Sequence, residues 1–138
     1  MPRTRKARLT DIDEIATSLP EVTHEGDARR SYAMRGKGFV SAREPRKDAV
    51  DENTGERLTD VLVFRVADAH DKEAVLQSSG PWFTTPHFDG YNAVLLQESR
   101  IGEMTRAELA EVITDAWIAV SPQRVVARWL ADRGGGRP

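Results

Sequence analysis

The sequence has no cysteine among its 138 residues. This absence excludes a disulfide framework, a thiol nucleophile and a zinc or iron–sulfur centre with cysteine ligands. No apolar run approaches the ~18 residues that a membrane-spanning helix needs, so we expect no membrane association. The basic start, residues 1–8, lacks the apolar stretch that follows in a secretory signal, which favours a cytoplasmic protein.

Catalytic and cofactor motifs are missing as well. The chain has no Gly-x-Ser-x-Gly elbow, no phosphate-binding Gly-x-x-x-x-Gly-Lys-Ser/Thr loop and no dinucleotide Gly-x-Gly-x-x-Gly. Its histidines, His24, His70 and His87, do not pair at the spacing of a helical metal site. We therefore predict no catalytic residue, no metal and no cofactor, and a protein without enzymatic activity is favoured.

What is present is typical of one globular domain. Hydrophobic residues make up 39% and charged residues 30% of the chain, a balance that supports a packed core. We place a flexible basic arm at residues 1–9, a single domain at 10–132 and a flexible glycine-rich tail at 133–138.

The net charge of −2 hides a strong asymmetry along the chain. Residues 1–47 carry 11 Lys and Arg against 7 Asp and Glu, whereas residues 48–120 carry 5 against 14. Residues 121–138 are basic again, with 4 against 1. Because domain termini are often close in space, the two basic ends could form one patch for phosphate groups. The alternative is a solvated surface of mixed sign.

The pattern of apolar residues predicts helices and strands in an α+β order. Thr105 and Glu108 form a capping box, and Met104 and Leu109 are placed for a hydrophobic staple around it. Trp117 and Trp129 fall on helical apolar stripes and are predicted to be core. The predicted helices cover residues 10–19, 69–78, 106–120 and 122–133, and the predicted strands cover 31–35, 38–43, 60–66 and 92–98. The polar segment 44–59 is predicted to be a long loop.

Several segments together resemble the MmcQ/YjbR-like family of small bacterial proteins. The most specific is the Thr-Pro-His-Phe-Asp-Gly-Tyr stretch of residues 85–91, and the resemblance covers roughly residues 10–130. The matching segment around this stretch begins at Phe83, and the other matching segments are 19–26, 34–40, 61–66 and 109–124.

This resemblance implies a fold and a function. It implies a compact α+β domain with an antiparallel sheet packed against helices and two C-terminal helices, similar to double-wing DNA-binding domains. The family is often labelled DNA-binding, so the resemblance also implies DNA binding. Because the middle of the chain is strongly acidic, we expect this binding to be weak and sensitive to salt. Residues 27–31 depart from the family pattern and add two arginines.

Six cations are the predicted contacts to nucleic acid. Arginines and lysines at a hairpin tip can bind phosphates across a groove, and arginines one helical turn apart share a face. The alternative is that these side chains only solvate a sheet edge or a helix. The six are Arg29, Arg30, Arg35, Lys37, Arg124 and Arg128.

A second candidate site is a ligand pocket formed by Trp82, His87, Asp89 and Tyr91. Histidine titrates near neutral pH, and aromatic side chains can stack on a planar ligand. In the alternative, His87 hydrogen-bonds the loop backbone, Asp89 forms a turn, and Trp82 and Tyr91 fill the core. The site would serve a small molecule, and a protein partner without any small ligand is a third hypothesis.

Overall fold

The computed structural model describes residues 5–24, 30–43, 60–78, 80–85 and 90–135, and among the described residues it has five strands and four α-helices. The predicted α+β class is confirmed. In chain order the elements are α1 (Leu9–Thr17), β1 (Val22–His24), β2 (Tyr32–Met34), β3 (Lys37–Arg43), β4 (Val61–Arg65), α2 (Ala69–Leu76), β5 (Ala93–Gln97), a 3-10 helix (Glu98–Glu103), α3 (Arg106–Val120) and α4 (Gln123–Gly135).

The sheet is a meander in which each strand pairs antiparallel with the next, in the order β1-β2-β3-β4-β5. The turn between β2 and β3 has positive φ at both central residues, 51° at Arg35 and 82° at Gly36. Two consecutive left-handed residues match the right-handed twist of the flanking strands and close a tight hairpin. This confirms the predicted hairpin.

Strand β4 is buried on both faces, as its continuous apolar sequence predicts. Leu62 and Phe64 face the main core with α1 and α3, whereas Val61 and Val63 belong to a smaller cluster with Leu95. A continuous apolar run is typical of a strand that is covered on both faces. β4 lies in the interior of the sheet, between β3 and β5.

The apolar stripe of α3 packs against the sheet and α1, and its start is fixed by the predicted capping box. The Glu108 N–H donates to Thr105 Oγ1 at 3.1 Å, and the Thr105 N–H donates to Glu108 Oε1 at 2.8 Å. Both predicted staple residues, Met104 and Leu109, are buried. These contacts satisfy first-turn N–H groups that have no partner within the helix.

The two C-terminal tryptophans anchor the last helices. Trp117 is fully buried, and its indole N–H donates to the Pro20 carbonyl oxygen at 3.1 Å. Trp129 of α4 is half-buried and meets the Trp117 ring edge-on at 5.1 Å. Trp117 is the core residue that its position predicts, while Trp129 packs at the margin of the core.

Two elements were not predicted. Strand β1 has three residues, of which Thr23 and His24 are exposed, so it carries no hydrophobic alternation and exists through its pairing with β2. The 3-10 helix depends on Asp60, whose carbonyl oxygen accepts the Glu98 N–H at 2.8 Å and whose carboxylate accepts the Ser99 N–H at 3.0 Å. Both elements depend on residues distant in sequence.

The segment from Arg5 to Arg8 falls within the predicted flexible arm, yet hydrogen bonds attach it to α3. The Arg106 N–H donates to the Arg5 carbonyl at 2.8 Å, and the Ala7 N–H donates to the Met104 carbonyl at 2.9 Å. These residues extend the folded unit below the predicted boundary at residue 10. The attachment is at the start of α3, whereas α4 follows the end of that helix, ~22 Å away. The basic N-terminal segment and the start of α4 therefore lie at opposite ends of α3.

Candidate nucleic-acid interface

Arg30 is occupied by contacts within the domain. Its Nε donates to the Leu9 carbonyl at 3.1 Å and lies 3.5 Å from the Asp13 carboxylate, and its Nη1 is 3.9 Å from Glu98. The side chain is 28% exposed. A cation with two acidic neighbours is poorly placed to receive a phosphate, so Arg30 fastens the sheet to α1.

Arg35 lies at the hairpin tip and forms a fork-shaped ion pair with Glu21. Its Nε donates to Glu21 Oε1 at 2.7 Å, and its Nη2 donates to Oε2 at 3.1 Å. Both side chains are about half exposed, at 50% for Arg35 and 45% for Glu21. The hydrogen bond from Arg35 lowers the pKa of the Glu21 carboxyl, and the same bond raises the pKa of Arg35. An exposed pair of this kind can exchange its carboxylate for another anion.

Lys37 is exposed, and within the described parts of the chain no carboxylate pairs with it. It shares a cleft of about 360 Å³ with Arg35 on one side and the α3–α4 junction on the other, where Val120, Ser121 and Pro122 line the wall. The hairpin tip and the start of α4 are therefore neighbours in space, although they are far apart in sequence.

Helix α4 begins at this cleft and carries two exposed arginines, Arg124 and Arg128. Neither has an ion-pair partner among the residues that the structure describes. The N–H groups of Val125 and Val126 both donate to the Pro122 carbonyl, at 3.0 and 3.1 Å. The first helical bonds thus start at Pro122, and the earlier N–H groups of the helix point out of its start, where anions are favoured.

The remaining candidate residues separate into two groups. Arg29, His87 and Asp89 lie outside the described residues. Trp82 is buried, and its ring meets that of Phe64 edge-on at 5.0 Å. Tyr91 is 54% exposed, so the alternative that it fills the core is wrong, whereas that alternative is confirmed for Trp82.

Trp82 and Tyr91 are the two residues of the predicted ligand pocket that the structure describes. Trp82 lines a cavity between α2 and α3, of which Tyr91 is not a lining residue. The Tyr91 carbonyl accepts a hydrogen bond at 2.7 Å from the ammonium of Lys72, a buried lysine of α2. Sequence reasoning missed Lys72 because α2 has no apolar stripe that would mark a buried position.

A buried carboxylate near the N-terminus was also missed. Asp11 is 2% exposed and accepts hydrogen bonds from Arg5 Nη2 at 2.8 Å, Arg106 Nε at 3.2 Å and the Arg8 N–H at 2.8 Å. Burial would raise the pKa of Asp11, but these three donors outweigh it and hold the pKa below its ordinary value. Asp11 thereby holds the Arg5 side chain at the edge of the core, so Arg5 is not available to a ligand.

Across the described ranges, no three histidine or acidic side chains are grouped to hold a metal ion. Nor does any helix in those ranges combine the length and the apolar character needed to cross a bilayer.

Comparisons with known proteins find relatives of similar sequence over part of the chain. They include Uncharacterized protein Rv2570 and Uncharacterized protein MT2646 of Mycobacterium tuberculosis and Uncharacterized protein Mb2600 of Mycobacterium bovis. Each is 42% identical over 76 residues, which cover 54% of this chain and 57% of the relative. This chain thus matches a little more than half the length of these mycobacterial homologues, whose names state no activity. No family model and no solved structure matches the chain.

Proposed function

We propose that this chain binds nucleic acid by contacting the phosphate backbone with the hairpin tip and the start of α4. The observation that carries the proposal is the cleft between them, which places Lys37 and Arg35 beside the α3–α4 junction. We name this surface, made of Arg35, Lys37, Arg124 and Arg128, the tip–α4 surface.

The chemistry of the tip–α4 surface suits phosphate oxygens. Lys37 provides a point charge, Arg124 and Arg128 provide planar forks one helical turn apart, and the start of α4 provides N–H donors. None of these groups reads a base edge, so the binding is independent of sequence. Arg30 does not belong to the surface, because Asp13 and Glu98 already neutralise it.

The acidic middle of the chain limits this interaction. Residues 48–120 have an excess of nine negative charges, which repel a polyanion in most orientations. With three or four phosphate contacts, the association constant should fall about 40- to 150-fold between 50 and 200 mM salt. Binding is therefore weak at physiological ionic strength.

The test is fluorescence anisotropy of labelled duplex and single-stranded DNA at 50 and 200 mM salt. Lys37→Ala and the pair Arg124→Gln with Arg128→Gln should each weaken binding, and each lost contact should reduce the salt slope by about 0.9. Arg35 is best replaced by Asn, because asparagine tolerates the positive φ of the turn.

Matched controls separate local contacts from net charge. Lys6→Ala removes one exposed lysine at the other end of α3, and Arg100→Gln removes an arginine paired with Glu103. The proposal fails if these controls weaken binding as much as the tip–α4 variants do. It also fails if the unmodified chain does not bind DNA at 50 mM salt.

A further inference from the structure

A groove runs between α2 and α3, on a part of the molecule that the proposed nucleic-acid surface does not include. It consists of two adjoining cavities of about 230 and 240 Å³, which share Ala74, Val75, Val112 and Asp115 as lining residues. Trp82 and Met104 also line the first cavity, and Val66, Ala67 and Ile118 also line the second. The groove therefore offers an apolar strip between two helices.

Carboxylates line this strip on both sides. Asp71 projects from α2, and Glu108, Glu111 and Asp115 lie along α3. Glu108 is used by the capping box, but within the described portion of the chain no cation pairs with Asp71, Glu111 or Asp115. The groove thus combines an apolar floor with uncompensated negative charge.

This concentration of charge is unfavourable in the free protein. Partial burial raises the pKa of Asp115, and the charges of Glu111 and Asp71 raise it further. A negative group that is destabilised by its own neighbours is stabilised when a cation arrives. Arrangements that cost the free protein stability are typical of binding surfaces.

The spacing of the carboxylates indicates the size of the occupant. Glu108 and Asp115 are seven residues apart on α3, which corresponds to ~10 Å along the helix axis. One ammonium group cannot neutralise a row of that length. A peptide with basic residues on both sides of an apolar face can do so, and helices with apolar faces commonly dock between two helices.

We propose that the groove between α2 and α3 binds a basic amphipathic peptide segment of a partner protein. Its apolar side chains would contact Val75 and Val112, and its lysines or arginines would pair with Asp71, Glu111 and Asp115. The inference rests on charge complementarity at this groove and is independent of the nucleic-acid surface.

The experiment uses the full chain and a labelled synthetic helix of about 14 residues, built from leucine, alanine, lysine and arginine with one apolar face. We expect saturable binding by fluorescence anisotropy, which weakens as salt is raised. The double substitution Glu111→Gln with Asp115→Asn should weaken it about 5- to 20-fold. The Tm of this variant should not fall, because the substitution removes a repulsion.

Three controls give each outcome a meaning. Glu73→Gln with Glu103→Gln removes the same charge outside the groove, and equal weakening by this pair would overturn the proposal. A peptide of the same composition with its apolar face scrambled should bind at least severalfold more weakly; equal binding would show that charge alone acts. If spermidine displaced the labelled peptide as well as unlabelled peptide does, the groove would be assigned to small polyamines and the proposal would fail. Absence of peptide binding at 50 mM salt would also refute the proposal.

Discussion

Glu21 and Arg35 hold each other through two hydrogen bonds, of 2.7 and 3.1 Å, and both have left-handed backbones with φ of 59° and 51°. Left-handed geometry is uncommon for residues other than glycine and costs free energy. The pair joins the residue before β1 to the turn between β2 and β3. It therefore fixes the hairpin tip, and it also places a competing carboxylate on an arginine of the proposed interface.

Releasing Arg35 from this carboxylate should strengthen DNA binding. With Glu21→Gln we expect about 2- to 5-fold tighter binding at 50 mM salt, since an exposed ion pair contributes little free energy and its loss frees Arg35 at small cost. The salt slope should become steeper as Arg35 gains a phosphate. Glu103→Gln is the matched control, because Glu103 forms an equally exposed fork with Arg100 away from the tip. Equal gains in both variants would show a general charge effect and exclude a direct role of Arg35.

The buried Asp11 should control stability in acid. Its pKa lies below the ordinary value, so its charged form stabilises the fold above about pH 4–5, and this contribution is lost as the pH falls through the folded-state pKa. Asp11→Asn should lower the free energy of unfolding by about 1–3 kcal/mol at pH 7, because charge-assisted bonds to Arg5 and Arg106 are lost.

The measurement is urea unfolding of both proteins between pH 7 and pH 3. The difference between wild type and Asp11→Asn should begin to shrink toward pH 3, because the Asp11 carboxyl of the unfolded chain takes up a proton before that of the folded protein. A difference in the free energy of unfolding that stays constant over this range would show that the negative charge of Asp11 does not stabilise the fold. Glu14→Gln is a suitable comparison, since Glu14 also contacts Arg106, at 3.5 Å, but is largely exposed.

The capping box should be worth a measurable part of the stability of α3. Thr105→Ala removes the hydroxyl that accepts the Glu108 N–H, and we expect a loss of about 1 kcal/mol. Thr105→Ser retains the hydroxyl and should cost less. Thermal unfolding by circular dichroism distinguishes the two; equal loss in both would assign the effect to the threonine methyl group and its packing.

Trp117 should be among the most costly positions to change. It is fully buried and donates to the Pro20 carbonyl, so Trp117→Phe leaves a cavity and an unpaired acceptor. We expect a loss of about 2–4 kcal/mol in the free energy of unfolding. Trp129→Phe retains an aromatic ring against Trp117 at a half-buried position and should cost less. Urea denaturation of wild type and both variants measures these losses, and m values that match wild type would show that only the stability has changed.

Local patterns predicted most elements because their signals lie within a few residues. The alternation in β4, the capping box of α3 and the glycine in the β2–β3 turn each specify a conformation through neighbouring side chains. Strand β1 was missed for the opposite reason. Its residues carry no periodic signal, and its conformation is imposed by hydrogen bonds to β2.

The candidate site was only partly predictable. Composition identified Arg30, Arg35 and Lys37 as a basic group, yet the fold neutralises Arg30, pairs Arg35 with Glu21 and leaves Lys37 beside α4. The described part of the basic N-terminal segment lies at the start of α3, where Asp11 pairs with Arg5, whereas Arg124 follows the end of that helix. No pattern of residue types could distinguish these cations from one another.

Periodicity and capping within single turns or strands specify the class of the fold, the helix starts and the two-sided burial of β4, so these features are readable from local residue patterns. Which charges remain available to a ligand depends on contacts that only the folded chain makes. Arg106 and Asp11 are 95 residues apart, and Arg35 and Glu21 are 14 apart, so their pairing depends on how the chain returns to itself. Coulombic interactions act through space, and a charge becomes available to a ligand only where folding has not already supplied its partner.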